Sequence, residues 1–152
     1  MVDAAVLTVT TAVTHGRTLS ASIAGPGPNG AASFTDAVIA TSAPDPGTTR
    51  VRKRGFVTGS TAGLVIAVNL TVNWPSGGPN AFLVDQAEIV GDTLFCQRGD
   101  SGALVLEEAS DTAVGLLWGT NAEDQLAPAG KIAYMSMIRN VETALGVSAV
   151  LG

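Results

Sequence analysis

The chain has 152 residues, of which 46% are hydrophobic and 14% charged, with 18 glycines, seven prolines and a single cysteine. A net charge of −5 and a pI of about 4.6 exclude nucleic acid as a partner on bulk electrostatics, and the apolar fraction excludes wholesale disorder. Cys96 alone can form no intrachain disulfide or cysteine-built metal site, and the one histidine, His15, cannot build a metal site by itself.

No apolar run reaches the ~18 residues of a membrane-spanning helix, so no membrane partner is expected. The opening "MVDAAVLTVTTAV" lacks the basic stretch that begins a signal peptide. A lone cysteine is compatible with a cytoplasmic setting and leaves the compartment open. Val, Ala, Leu and Ile, mixed with abundant Thr and Gly, predict short strands joined by turns.

Residues 2–14 contain no Gly, Pro or Asn and read as one long strand, with "HGR" at 15–17 as a hairpin tip. "TLSASIAG" alternates, placing Leu19, Ala21 and Ile23 on one side. "GPGPNG" at 25–30 is a loop, and "SFTDAVIATSA" is a short strand. "PDPGTT" at 44–49 is the best linker in the chain, because its prolines interrupt helix and ladder alike.

"RVRKRGFVTG" follows as a strand with Arg50, Arg52 and Arg54 on one face and Val51 and Lys53 on the other. It is expected to be a solvated strand edge. "STAGLVIAVNLTVNW" at 60–74 reads as a strand or a bent strand pair, "AFLVDQAEIV" as another, and "ALVLEE" and "TAVGLLWGT" as two more. "IAYM" is the last strand. In "SMIRNVETALGV" the period changes: Met137, Ile138, Val141, Ala144 and Leu145 form one helical stripe, with Ser136 as the expected N-cap and Gly146 as the C-cap. The composition and pattern predict an all-β chain with one C-terminal α-helix.

One segment carries chemistry: "CQRGDSGALVL", residues 96–106. Gly99 and Gly102 permit unusual backbone shapes, and Asp100 and Ser101 can bond nearby amides, so a plain turn is one reading. The other is a nucleophile whose neighbouring N–H groups form an oxyanion hole.

From about Arg50 to Val147 the chain resembles the trypsin-like (chymotrypsin-fold) serine proteases of the bacterial, disulfide-poor type. The resemblance rests on "VRKRGFVTGSTAGLV", "FCQRGDSGALV", "AVGLLWGT" and "IAYMSMIRNVETALGV" in that order. It implies two antiparallel β-barrels: a reduced or partial N-terminal one in residues 1–45, and a complete C-terminal one with its closing helix in residues 50–152. It implies Ser101 as the nucleophile and the amides of Gly99 and Ser101 as the oxyanion hole, with Asp100 bracing the loop. Leu117, Trp118 and Gly119 would wall the substrate cleft. Phe95 would form the pocket floor with Cys96 beside it, which implies a small or apolar substrate side chain. No metal or organic cofactor is implied.

The base and its orienting acid stay open between two arrangements. In one, "MVDAAVLTV" resembles the strand carrying the family's catalytic aspartate, so Asp3 is the acid and the histidine comes from a separate N-terminal segment. In the other, "TTAVTHG" and "FTDAVIA" make His15, Asp36 and Ser101 a compact triad. Room favours the first: three short strands and their turns need roughly 19 residues, and 14 precede His15. The expected partner is a peptide or protein substrate, with self-association expected of an incomplete first barrel. Two rival readings are a non-catalytic peptide-binding module of the same fold and an all-β structural protein whose GDSG is only a turn.

Overall fold

The computed structural model describes residues 22–23, 32–33, 40, 42–73, 81–121 and 129–146. Two short antiparallel strands, β1 (Ser22–Ile23) and β2 (Ala32–Ser33), pair with each other. Six strands follow: β3 (Arg50–Gly55), β4 (Gly59–Asn73), β5 (Phe82–Gly91), β6 (Leu104–Glu107), β7 (Ala113–Thr120) and β8 (Ile132–Met137). They close into an antiparallel barrel in the order β3-β4-β5-β8-β7-β6, and α1 (Ile138–Leu145) leaves β8 directly. The chain is thus all-β with one C-terminal helix, and the barrel is the trypsin-like one that the sequence predicts.

Each barrel strand sends apolar side chains into one buried cluster: Val51 from β3, Val65 from β4, Ile89 from β5, Val105 from β6, Leu117 from β7 and Met135 from β8. Closure gives every barrel strand a neighbour on both sides and puts alternate side chains inside. Burying a side chain of this size contributes about 1.5–3 kcal/mol. Phe95 and Cys96 join the cluster from the segment after β5.

Closure also corrects the expectation for "RVRKR". The segment β3 pairs with β4 on one side and β6 on the other, so it is no edge. Arg52 is 8% exposed and Lys53 3%. Arg50 bonds Asp92 at 2.5 Å and Glu108 at 2.8 Å, Arg52 meets Asp111, and Lys53 meets Asp100. Four basic residues within five positions are tolerated because carboxylates from later segments receive three of them.

The strand β4 is bent, with register shifts between Val65 and Ala67, Ala67 and Leu70, and Leu70 and Val72. Such bulges let a long strand curve around a small barrel. The expected linker at 44–49 lies against β4: Gly47 N–H donates to Val65 O at 2.8 Å, and Val65 N–H donates to Thr49 O at 3.0 Å. Ser136 belongs to β8 rather than to the helix cap. Met137 occupies the N-cap position, with no side-chain cap bond, and Gly146 closes the helix in the left-handed conformation at φ 63°. The stripe buries Met137, Ile138 and Val141, while Ala144 is exposed.

Candidate active site

Residues 96–103 form a tight loop between the end of β5 and the start of β6. Asp100 N–H donates to Gln97 O at 3.0 Å, and Ala103 N–H to Asp100 O at 3.1 Å. Gly102 N–H donates to Leu117 O at 2.7 Å, tying the loop to β7. The alternating amides, those of Gly99 and Ser101, have no acceptor among the described residues. Gly99 holds φ at 105°, a backbone shape that L side chains rarely adopt. Ser101 is exposed, and its hydroxyl donates to Trp118 O at 3.1 Å.

The loop is anchored from inside by Asp100, which is 1% exposed. Its carboxylate accepts from Val57 N–H at 2.7 Å, Thr58 N–H at 3.2 Å, Thr58 Oγ1 at 2.7 Å and Gln97 N–H at 3.0 Å. Lys53 Nζ stands 3.4 Å away, and both side chains are fully buried. Burial opposes the charged carboxylate, but the Thr58 hydroxyl and the three amides outweigh it and hold Asp100 well below the usual carboxylate range. For Lys53 burial wins: its ammonium is pushed below the ordinary lysine range despite the attraction of Asp100. Lys53 also donates to Thr58 Oγ1. It stands 5.7 Å from the centre of the Phe95 ring. Gly55 makes the approach possible, because a Cβ there would overlap the Asp100 carboxylate.

Beside Ser101 opens a cavity of about 180 Å³. Ser101, Cys96, Leu117, Trp118 and Gly119, all candidates from the sequence, line it together. Gln97, Arg98 and Thr120 line it too. Phe95, the expected floor, is not part of it: the ring is fully buried in the barrel core, and the Phe95 carbonyl accepts from Thr61 Oγ1 at 2.7 Å. The reason is local. Phe95 N–H and Cys96 N–H both donate to Gly130 O, at 2.8 and 3.1 Å, which holds the segment against the barrel. Burial pushes the Cys96 thiol up from its ordinary range.

The strand β7 runs past the end of β6. Leu116 pairs with Leu104, the first residue of β6, so among the described residues Gly119 and Thr120 pair with a strand only in β8, and Trp118 sits at a register shift beside them. Trp118 is fixed from behind: its indole N–H donates to Gln86 Oε1 at 2.7 Å, and its ring stacks on Tyr134 at 5.6 Å. Gln86 is fully buried, and the same oxygen accepts from Ser136 Oγ at 2.8 Å.

Asp3, His15 and Asp36 lie outside the described residues. Among the described residues no group of three or more His, Cys, Asp or Glu could hold a metal ion. Sequence reasoning passed over Lys53, Thr58, Gln86, Arg98 and Gly130. Of these only Arg98 carried a signal in the sequence, as a cation next to Gly99.

No protein-family model matches the chain, and no curated protein matches it. Its fold does match solved structures. The chymotrypsin of Cellulomonas bogoriensis is 20% identical with a TM-score of 0.65, over 88% of this chain and 63% of that one. Protease A of Thermobifida fusca is 19% identical with a TM-score of 0.67, over 95% and 66%. The Nocardiopsis protease is 19% identical with a TM-score of 0.61, over 85% and 60%. The chain therefore spans somewhat less than two thirds of the length of these proteins. At such identities the likeness is one of fold, and the chain has the fold of the bacterial chymotrypsin-like serine proteases.

Proposed function

We propose that this chain is a serine endopeptidase of the trypsin-like type, or the C-terminal part of one, and that it cleaves peptide bonds through Ser101. One observation carries the reading: the amides of Asp100 and Gly102 are bonded within the fold, while those of Gly99 and Ser101 have no acceptor among the described residues. Unused N–H groups on a serine at a cavity and on the residue two before it suit the oxyanion of an acyl-transfer intermediate. Losing one such donor costs about a hundred- to a thousand-fold in rate.

In this reading Ser101 Oγ attacks the carbonyl carbon of the scissile peptide. Its proton passes to a histidine, and the carbonyl oxygen becomes an oxyanion facing Gly99 and Ser101. The C–N bond then breaks, the histidine returns the proton to the leaving amine, and water hydrolyses the acyl-serine ester by the same route. The histidine is His15, oriented by Asp36, or one supplied by a separate segment with Asp3 as the acid. Residues 1–45 belong to a reduced or partial first barrel, and 50–152 to the second. The substrate is a peptide or protein chain laid along Trp118, Gly119 and Thr120, where β7 has no strand partner opposite β8 among the described residues.

Fluorophosphonate labelling, read by intact mass, tests this. The probe forms an Oγ–P bond with loss of fluoride, and Ser101→Ala must abolish it. Loss of labelling in His15→Ala as well identifies the compact triad. Retention there assigns the base to another residue. A chain that never labels refutes catalysis by this chain alone. That outcome favours a non-catalytic peptide-binding module, for which the bond from the Ser101 hydroxyl to Trp118 O is the supporting observation. In that case Ser101→Ala leaves peptide binding unchanged.

A further inference from the structure

Among the described residues the cavity beside Ser101 has one charged side chain in its wall, Arg98. Three of the other polar side chains there are engaged. The Thr120 hydroxyl donates to Ile132 O at 2.6 Å, the Ser101 hydroxyl donates to Trp118 O at 3.1 Å, and the Cys96 thiol faces Gly119 O at 3.8 Å. Gln97 is exposed at the same wall and keeps a neutral amide. Arg98 has neither an ion pair nor a side-chain hydrogen bond among the described residues, whereas Arg50, Arg52 and Lys53 each meet a carboxylate. Asp100, two residues on, offers Arg98 nothing: it is buried and its oxygens are taken by Lys53, Thr58, Val57 and Gln97. The chain carries a net charge of −5, and yet no carboxylate lines this cavity among the described residues.

We infer that Arg98 makes this cavity a site for an acidic side chain, a glutamate of the peptide that lies along β7. The inference rests on the reading of this cleft as a peptide site. It displaces the expectation of a small or apolar side chain, which depended on Phe95 forming the floor. With Phe95 in the core, the pocket's character comes from Arg98 at its wall and from the main chain of β7. A guanidinium presents two parallel N–H groups to a carboxylate, a geometry a neutral amide cannot match. The chain's overall negative charge does not forbid this, because charges more than about 10 Å away are screened at 0.1 M salt.

The test needs no catalysis. Acetyl-Ala-Ala-Pro-Xaa-amide peptides with Glu, Gln or Leu as Xaa are titrated into the isotopically labelled full chain and followed by NMR at pH 7 and low salt. Ser101→Ala is used throughout so that no cleavage intervenes. The Glu peptide is expected to bind about tenfold more tightly than the Gln peptide, the size of one partly desolvated charge-assisted hydrogen bond. Arg98→Gln should bring the Glu peptide to the Gln level and leave the Leu peptide unchanged. The preference should fade with added salt, and again below about pH 4 as the peptide carboxyl gains its proton. Equal binding of Glu and Gln peptides overturns the role of Arg98 and leaves the peptide site standing. A uniform loss for all three peptides in Arg98→Gln overturns it too, because Arg98 would then only shape the wall. If no peptide binds, the peptide-site reading falls and this inference with it.

Discussion

Asp100 links the candidate nucleophile to the barrel. Its carboxylate takes four hydrogen bonds and a lysine at zero exposure, and both the Ser101 hydroxyl and the alternating amides depend on the loop it braces. Replacing it with Asn leaves Lys53 as an uncompensated buried charge and should cost about 3–5 kcal/mol in urea unfolding. Lys53→Met should cost less, since the carboxylate keeps its bonds to Val57, Thr58 and Gln97; a larger loss than for Asp100→Asn would contradict this account. Gln86 plays a comparable part for Trp118. In Gln86→Leu the Trp118 indole and the Ser136 hydroxyl lose their acceptor, at about 1–3 kcal/mol for each buried group. Glutamate at this position retains the oxygen, so the Trp118 indole N–H resonance should shift in Gln86→Leu and remain near its place in Gln86→Glu. The GDSG motif was legible in the sequence because it is four adjacent letters. The partners Lys53 and Gln86 were not: Lys53 is 47 positions from Asp100, Gln86 is 32 from Trp118, and neither looks unlike an ordinary strand residue.

Strand positions were legible for the same kind of reason. Alternation and glycine punctuation are local, so the barrel strands appear close to where the sequence puts them. What failed was any judgement of a strand's neighbours. The segment "RVRKR" carries the charge of a solvated edge, yet β3 is paired on both sides. The β8–α1 junction shows a related limit. Ser136 is a good N-cap by type, but its hydroxyl is drawn to Gln86, and the helix begins without a side-chain cap. Its stability therefore comes from packing. Ile138→Ala, which empties a site 5% exposed, should cost about 2–5 kcal/mol. Gly146→Ala, which strains a left-handed C-cap, should cost only about 1 kcal/mol. Thermal unfolding of the two variants decides the order, and the reverse order would mean that the cap, not the packing, holds α1.

For the whole molecule, the buried pair sets a direction for the response to acid. The native Asp100 carboxyl is held well below its unfolded pKa of about 3.9. The native state therefore binds its proton less readily than the unfolded chain does. The stability this contributes is fully present above about pH 4 and is lost as the pH falls through the native value. Stability should drop between pH 4 and pH 2, and Asp100→Asn should flatten that part of the curve although its plateau is lower. An unchanged slope in the variant would assign acid sensitivity to other carboxylates. The sequence by itself determined the class of fold, the succession of the barrel strands along the chain, the closing helix and the serine loop, because each is written in short-range patterns of polarity and turn residues. Only the tertiary structure decided that β3 is interior, that Lys53 lies buried against Asp100, that Phe95 turns into the core and that Arg98 borders the cavity. Those outcomes depend on barrel closure, which brings distant segments together and lets burial and charge pairing choose among side-chain directions that the local sequence leaves equal.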